Sequence, residues 1–494
     1  MEAIPIGIFW CIAVWALFKR QHVLLYLFFA TMPLGSFAVI PTAVTGGLTL
    51  TATPVVALLL IVRELSNGSR FKTAAAAAMR PSSLLLLFIF WILAAITTAF
   101  SPRFFAGQIQ IVPVRSEGLS AAAMLMPTAQ NISQFVYISI SVLTVFVFSR
   151  MLKTAEMRQH VFNALCLGGA ITILTGLLDF ASQYVSLQAL LEVFRTASYA
   201  LMTEDEVLDS KRVVGLMPEA SAFGNVGLSY LAALYFFRRG MPKGKLRDKA
   251  VPMMVGLLAL LVWLSTSSSA YLGLALFGAT MAAEWFSRLV SNKRNPYLSK
   301  GLSSEFALGA IAALIVLLVF IAKPSLFSPI VNMIDVMVLQ KSSSSSFEER
   351  GMWTQVSWDA LLATYGLGVG LGGTRASNFA VALASNAGIL GAFLYFTFAI
   401  RCLLMQKASR HDKQGGAILW ACRWAYLPAF CAALTVGTTP DFGLFNAFIY
   451  GFALATATLP ARKIFPQHSG KNTQISTKSQ NCRKEVGNRD LYAA

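Results

Sequence analysis

The chain has 494 residues, of which 56% are hydrophobic and only 13% are charged. Charged residues make up about a quarter of a typical soluble domain, so this composition excludes an ordinary soluble fold. The formal net charge of +18 is typical of nucleic-acid-binding proteins, but the positive-inside rule for membrane proteins gives a simpler account of the basic residues.

About thirteen apolar runs are close to the length of roughly 20 helical residues that crosses a hydrocarbon core about 30 Å thick. Polar segments separate them, without strand-like alternation, which favours helices over a barrel. The sequence therefore predicts an all-α, polytopic transmembrane bundle of about 12–13 helices. The runs are 4–18, 23–40, 48–62, 82–100, 132–149, 161–180, 223–237, 251–264, 268–287, 306–322, 382–400, 416–438 and 443–459.

The charge distribution predicts the topology. Glu2 precedes the first run while Lys19 and Arg20 follow it, so we expect a retained helix that starts outside, not a cleaved signal peptide. With thirteen crossings, the cytoplasmic side carries 31 of the 40 Lys and Arg residues and the C-terminus is cytoplasmic. We expect a membrane domain over 1–460 and a basic, disordered tail over 461–494, with no nucleic-acid partner.

Six cysteines lie in or beside predicted helices or in the tail, and no C-x-x-C pair occurs. Disulfides and a cysteine metal site are therefore not expected.

Three large outer segments, 101–131, 181–222 and 323–381, hold most of the residues from which a site could be built. The third contains "GLGVGLGG" at 366–373, which matches the dinucleotide fingerprint G-x-G-x-x-G. We reject that interpretation, because the preceding "WDALLATY" does not read as a strand and nucleoside cofactors are cytoplasmic. One possibility is that the glycines allow a ligand close to the backbone, where N–H groups donate hydrogen bonds to an anion. The other is that they form a small-residue packing surface.

Two arginines lie on the outer face, against the charge rule, and therefore need a partner or a function. Arg212 begins "RVVGLMPEASAFG", and Arg350 precedes Gly366 by fifteen intervening residues. A guanidinium binds diphosphate or carboxylate groups at two points. The alternative is that Arg212 and Arg350 pair with nearby acids such as Asp209 and Glu349.

At these residues the sequence resembles the O-antigen polymerase and ligase superfamily of bacterial membrane glycosyltransferases, and within it the exopolysaccharide polymerases. The polymerases have an arginine followed at a fixed interval by glycine in each of two large periplasmic loops. Arg350 and Gly366 fit that interval, whereas Arg212 reaches Gly224 or Gly227 at a different one. The matching pieces are "SPRFFAG" (101–107), "NISQFVY" (131–137), "RVVGLMPEASAFG" (212–224), "LSTSSSAYLGL" (264–274), "EERGMW" (348–353), "GLGVGLGGTRASN" (366–378) and "SNAGILGAFLYF" (385–396).

The resemblance implies a type-C glycosyltransferase-like fold with large extracytoplasmic loops in the cell inner membrane. It also implies that oligosaccharide repeats carried on undecaprenyl diphosphate are polymerised there, without metal or other cofactor. A chain-length regulator and a flippase of the same pathway are expected partners. Catalytic roles fall to Arg212, Arg350 and, as a base, Glu219, for which a helix N-terminal carboxylate is the alternative. Substrate-binding roles fall to Arg375, Asn378, Gly366, Gly368, Gly370, Ser267 and Ser268, although the serines equally suit helix capping and packing.

Two alternatives stay open. O-antigen ligases use a periplasmic histidine, whereas His22, His160, His411 and His468 all fall in predicted cytoplasmic segments. A transporter of the same lipid-linked sugars usually keeps ionisable residues near the bilayer midplane. The predicted spans here are almost free of charge, and the exceptions lie near helix ends: Asp179, Glu284 and Arg423.

Overall fold

The computed structural model describes most of residues 3–457. The basic tail predicted at 461–494 lies outside the described residues, as does Asp209, the partner considered for Arg212. The stretches within 3–457 that are not described are 43, 115–121, 199–200, 203–205, 208–209, 292–294, 300, 324–334 and 336–344.

The described chain is mainly helical, and each of the thirteen predicted runs overlaps a helix. The α-helices are α1 (Ala3–Phe18), α2 (Gln21–Thr31), α3 (Ala52–Leu65), α4 (Gly68–Ala78), α5 (Leu85–Phe104), α6 (Ala129–Met151), α7 (Ala155–Ala181), α8 (Gln188–Glu192), α9 (Ala220–Phe237), α10 (Val251–Leu264), α11 (Ser268–Ser291), α12 (Pro296–Ser299), α13 (Leu302–Ala322), α14 (Ser345–Ala363), α15 (Phe379–Ile400), α16 (Lys413–Val436) and α17 (Leu444–Thr456).

Three short antiparallel hairpins lie in connections between helices. None of them belongs to a larger sheet within the part of the chain that is described. They pair β1 (Ala38–Ile40) with β2 (Leu50–Thr51), β3 (Gln110–Ile111) with β4 (Ala123–Met124), and β5 (Glu206–Val207) with β6 (Ser210–Lys211).

The structure differs from the sequence prediction in three places. The second apolar run is predicted over 23–40, but α2 ends at Thr31 because Pro33, two residues later, has no backbone N–H to continue the helical hydrogen bonds. Helix α4 was not predicted, because none of the long apolar runs covers it. It begins where the Asn67 side chain accepts hydrogen bonds from two backbone N–H groups. The third outer segment holds a long helix, α14, and is not simply a loop.

Six helices among the described residues are long and apolar enough to cross a membrane. Shorter apolar helices accompany them at Ala3–Phe18, Gln21–Thr31 and Leu444–Thr456. The chain is therefore a multi-pass helical membrane protein. The six candidate spans are Leu85–Phe104, Ala129–Met151, Ala155–Ala181, Ala220–Gly240, Phe379–Met405 and Lys413–Val436.

Small residues let the central helices approach closely. At Gly168 of α7, an added Cβ would lie 2.2 Å from the Tyr230 hydroxyl of α9. At Gly451 of α17, it would lie 2.4 Å from the Cβ of Phe148 in α6. Glycine at these crossings permits the close backbone packing that holds membrane helices together.

One end of the bundle carries a buried ionic cluster, and we call it the ion-pair end. Glu284 is fully buried and accepts from the Trp420 indole N–H at 2.8 Å. Its carboxylate also lies 2.9 Å from the Arg288 Nε and 3.2 Å from the Arg239 Nη2. Buried charges are tolerated when they are paired in this way. Glu284 and Arg288 belong to the last turns of α11, and α16 begins at this end.

The opposite end of the bundle, here called the loop end, lies where α11 and α15 begin and α16 ends. Helix α11 has 24 residues, so at 1.5 Å per residue the two ends are about 36 Å apart. Helix α14 packs against α15 at the loop end. Most of the predicted site residues lie there.

Candidate functional site

A cavity of ≈ 530 Å³ opens at the loop end between α11, α14, α15 and α16. Three residues predicted from widely separated parts of the sequence line it together: Ser268, Arg350 and Asn378. The other lining residues are Ser269, Leu272, Phe347, Gly351, Thr354, Gln355, Ser377, Leu434, Thr435 and Val436.

Arg350 supplies the positive charge of the cavity. It lies on the second turn of α14 and is half-buried. No carboxylate among the described residues lies within ion-pair distance of its guanidinium, so the predicted alternative of a pair with Glu349 is not what the structure shows. The charge of Glu349 acts instead on Arg375.

Helix α14 is fastened to the segment that follows the glycines. The Thr354 hydroxyl accepts from the Ser377 N–H at 3.0 Å and donates to the Arg350 carbonyl at 3.0 Å. Three residues on, the buried Ser357 hydroxyl donates to the Arg375 carbonyl at 2.8 Å. These bonds hold Arg350 and Asn378 on the same cavity.

Asn378 is the N-cap of α15. Its side-chain oxygen accepts from the N–H groups of Ala380 at 2.9 Å and Val381 at 3.1 Å. The cap therefore uses the carbonyl half of the amide, and the NH₂ half is the part that can donate to a ligand.

Arg375 lies beside the cavity and is not among its lining residues. Its guanidinium lies 3.6 Å from the centre of the Trp353 ring, a cation–π contact. Burial lowers the pKa of Arg375, and the nearby charge of Glu349 opposes that shift. An arginine keeps its charge under such shifts at physiological pH, so Arg375 adds positive potential next to the cavity.

In the glycine segment, residues 366–373, N–H groups of the glycines donate to acceptors inside the protein. Gly366 donates to the Leu361 carbonyl at 2.9 Å and Gly370 to the Asn386 carbonyl at 3.0 Å. Gly368 donates to the Thr364 hydroxyl at 3.0 Å. The packing alternative is therefore the role that the geometry displays, and a ligand-binding role for these three glycines stays a prediction.

Backbone conformation explains why glycine is needed in this segment. Gly368 has φ +84, and an added Cβ would lie 2.6 Å from the N atom of Gly388. Gly388 itself breaks α15 with φ 80 and ψ 165. Because L-residues avoid this region and no space is available, a side chain at either position is excluded without a backbone shift.

The turn between α10 and α11 forms another wall of the cavity. Thr266 has a φ of 44, a left-handed conformation that is strained for a β-branched residue. The hydroxyl groups of Ser267 and Ser269 are 2.9 Å apart, and both side chains are buried. Ser267 therefore packs within the turn, whereas Ser268 reaches the cavity.

Arg212 also contacts this serine turn. Its Nε donates to the Ser265 carbonyl at 3.4 Å, and the N–H of the next residue, Val213, donates to the Leu264 carbonyl at 3.2 Å. Arg212 is therefore bonded to the backbone of the turn that contributes Ser268 to the cavity of Arg350.

A buried carboxylate in α7 holds the Arg212 connection in place. Asp179 accepts from the N–H groups of Val214 at 2.6 Å and Gly215 at 2.9 Å. It also lies 3.5 Å from the Arg195 Nη2 and 3.6 Å from the Lys211 Nζ. Asp179 therefore serves as an organising anion at the end of α7.

Glu219 occupies the N-cap position of α9 and is exposed. Its side chain makes no cap hydrogen bond, and it accepts instead from the Ser221 hydroxyl. In the same helix, an added Cβ at Gly224 would lie 2.7 Å from Ala270, just past the serine turn. Glu219 thus lies about one and a half helical turns from that contact.

Several polar residues at or near the site were not predicted from the sequence. Thr354 and Gln355 follow Arg350 at helical spacing, and an assignment of 345–363 as a helix would have identified them. Arg195, which is 7% exposed and bonded to the Gly215 carbonyl at 3.3 Å, carried no local sequence signal.

Neither models of known protein families nor the curated proteins contain a match to this chain. The fold and site therefore define the class by themselves: a multi-pass helical membrane protein with a polar cavity at one end of the bundle. More particularly, that cavity holds an arginine without a partner acid among the described residues.

Proposed function

We propose that the chain is a membrane glycosyltransferase that polymerises undecaprenyl-diphosphate-linked oligosaccharide repeats at the outer face of the cell inner membrane. The observation that carries the proposal is the guanidinium of Arg350, half-buried in the cavity and unpaired among the described residues. A fixed positive charge beside hydroxyl and amide groups suits an anionic diphosphate leaving group and a sugar.

The reaction needs charge stabilisation more than a protein nucleophile. An acceptor hydroxyl oxygen forms a bond to the anomeric carbon of the donor, and the bond from that carbon to the diphosphate breaks. Its electron pair leaves on the diphosphate, where Arg350 and Arg212 stabilise the negative charge. The hydroxyl proton passes to a base, for which Glu219 is the candidate. One preorganised donor of this kind contributes roughly 10²–10³-fold in rate.

The surroundings of the cavity support a lipid-linked substrate. Helices α15 and α16, which border it, are candidate membrane spans, so the proposed polyprenyl chain would lie in the bilayer beside the cavity. Its volume of ≈ 530 Å³ is within the range of about 300–1,000 Å³ typical of small-molecule sites. The predicted topology, with the N-terminus outside, the C-terminus cytoplasmic and the loop end outside, belongs to this proposal, as do the type-C fold and the partners expected from the resemblance.

The histidines favour a polymerase over a ligase. His22 and His160 stack on each other at the ion-pair end, far from the cavity, and His411 directly precedes the N-cap of α16 at that end. His468 lies outside the described residues. Among the described residues, no histidine lines the cavity.

The ionisable residues of the spans favour an enzyme over a transporter. Asp179 and Glu284 are held in the structural networks described above. Arg423 donates to the carbonyls of Leu403 at 2.6 Å and Gln406 at 2.8 Å. These groups are occupied by structural partners, and among the described residues they do not form a polar path along the bundle. Arg423 lies in the middle of α16, whereas the sequence predicted a position near a helix end.

The test is deletion of the gene and complementation at matched expression, with analysis of the polysaccharide and its lipid-linked precursors. Arg350→Ala and Arg212→Ala are expected to lose long polymer while single lipid-linked repeats accumulate. Arg350→Lys keeps the charge without the two-point fork and should recover only part of the activity. Arg410→Ala, an exposed arginine away from the cavity, is the matched control and should support normal polymer.

The precursors distinguish the alternatives. Full-length chains that remain untransferred would identify a ligase, and repeats retained on the cytoplasmic leaflet would identify a transporter. Normal polymer from both alanine variants would defeat the site assignment.

A further inference from the structure

A second group of chemically capable side chains lies at the ion-pair end. His22 is in α2, and Glu156 and His160 are in the first turns of α7. The possible ligand atoms of these three residues all lie within 4.8 Å of one another. None of them takes part in the cavity at the loop end.

The position of this group is fixed by its neighbours along α7. Arg158 lies between Glu156 and His160 and pairs with Asp412 at 2.7 Å. Asp412 is the N-cap of α16, and the other end of α16 lines the cavity. The group is therefore separated from the cavity by the length of α16, 24 residues or about 36 Å.

The geometry orients His160 as a ligand. Its Nδ1 lies 3.1 Å from the Tyr26 hydroxyl, which leaves Nε2 for an ion. Metal-binding histidines usually have their second ring nitrogen held in this way. Glu156 is four residues earlier, so both side chains project from one face of α7, and its Oε1 lies 3.8 Å from Nε2.

We propose that His22, Glu156 and His160 bind one divalent transition-metal ion of the zinc class. Two imidazoles and one carboxylate form a donor set that such ions accept, with a water molecule completing a four-coordinate sphere. The ion joins α2 to α7 and thereby fastens the N-terminal helices to the bundle. A metal ion was not expected from the sequence, since the resemblance implies metal-independent catalysis and no cysteine metal motif occurs. His22 and His160 are far apart in the chain and only the fold brings them together.

Side-chain rotations are needed to close the site around an ion. Ligand bonds of about 2.0–2.1 Å place donor atoms ~3.3 Å apart in a tetrahedral sphere. The His22 and His160 rings are stacked with centroids 4.1 Å apart and an interplanar angle of 13°. Their in-plane lone pairs are therefore nearly parallel, and one ring must turn out of the stack for both to converge on one ion. The Glu156 side chain is 72% exposed and free to adjust. The charge of Arg20 acts on His22 and opposes a cation, whereas the Glu156 carboxylate favours one.

The test uses the full-length chain, purified in detergent with a tag that contains no histidine and stripped with a chelator. Co²⁺ is titrated as a spectroscopic probe and Zn²⁺ is then added in competition. The wild type should bind one Co²⁺ per chain with visible bands of a four-coordinate ion, and Zn²⁺ should displace it. His160→Ala and Glu156→Gln should weaken binding more than ~100-fold, and Tyr26→Phe about 10–100-fold.

His411→Ala is the matched control and should bind like the wild type. Thermal unfolding is followed in parallel, because an ion that binds the folded state raises Tm. That rise should be seen in the wild type and in His411→Ala, and should be absent in Glu156→Gln, whose exposed side chain can be changed without loss of packing. Folded wild type without stoichiometric Co²⁺ binding would overturn the proposal, as would equal binding by wild type and the His160→Ala and Glu156→Gln variants.

Discussion

Replacing Asp179 by asparagine is expected to loosen the connection that carries Arg212. One carboxylate oxygen accepts from the N–H groups of Val214 and Gly215, and the other faces Arg195 and Lys211. Asparagine keeps the size of the side chain but removes its charge and one acceptor. Its NH₂ group would then face two cations or two N–H donors, whichever way the amide is turned.

The magnitude follows from burial. The side chains of Asp179 and Arg195 are each 1% exposed, and removal of one partner from a buried pair typically costs 3–5 kcal/mol. Arg195 retains the Gly215 carbonyl and Glu192, so we expect about 3 kcal/mol for Asp179→Asn, at the lower end of that range. Asp179→Ala also leaves the N–H groups unsatisfied, and about 5 kcal/mol is expected.

Reversible unfolding in mixed micelles, with rising SDS and tryptophan fluorescence as the signal, measures these differences. The matched control is Asp359→Asn, because Asp359 is exposed and bonded only to Gln355 among the described residues. A surface change of this kind stays within about 0.5 kcal/mol. A loss below about 1 kcal/mol for Asp179→Asn, or a loss equal to that of the control, would refute the claim that this carboxylate organises the loop end.

Two further predictions concern the glycine segment and its flank. Gly388→Ala should lower the free energy of unfolding by at least about 2 kcal/mol, because φ is +80 and the new Cβ would lie 2.5 Å from the Leu367 carbonyl oxygen. The control is Gly278→Ala, where an added Cβ has nothing within 4 Å. It should be neutral or slightly stabilising in the same SDS assay. Arg375→Lys should lower the free energy of unfolding by about 1 kcal/mol, because the cation–π contact with Trp353 is lost. The change is measured as a shift of the unfolding midpoint. An unchanged midpoint would show that this contact contributes nothing to stability.

The sequence could predict what depends on local composition. Long apolar runs identify the helices because a spanning segment must be apolar along its length. Their ends are less predictable, and α2 ends at Thr31 although the apolar run continues to 40. The polar helix α14 carries no such run, so Thr354 and Gln355 were missed although Arg350 beside them was identified.

In the candidate site too, single residues could be identified from the sequence, whereas their tertiary contacts could not. Ser268 and Asn378 are identifiable as polar residues at or near predicted helix starts, and Arg350 as an arginine of a predicted outer segment. The structure brings all three to one cavity. The hydrogen bonds of the glycine segment were not predictable, because their acceptors include Asn386, next to the break in α15 at Gly388. That break is a tertiary feature with no local sequence pattern beyond a glycine.

The arginines of this chain separate into structural and functional candidates by their partners. Arg288 and Arg239 lie at the ion-pair end beside Glu284, and Arg195 lies at the loop end beside Asp179. Each is nearly buried and neutralised by a carboxylate, which is the arrangement that a low-dielectric interior requires. Arg350 is half-buried on the cavity wall, and no described carboxylate pairs with it. Arg63, Arg238 and Arg423 also lack such a partner, but their guanidinium groups donate to backbone carbonyls. If the charge of Arg350 served the fold alone, an acid beside it would lower the cost of burial. Under the proposed function, an anionic diphosphate would complete the pair with Arg350 when it is bound, and the cost of burying an unpaired charge would then be offset by the ligand.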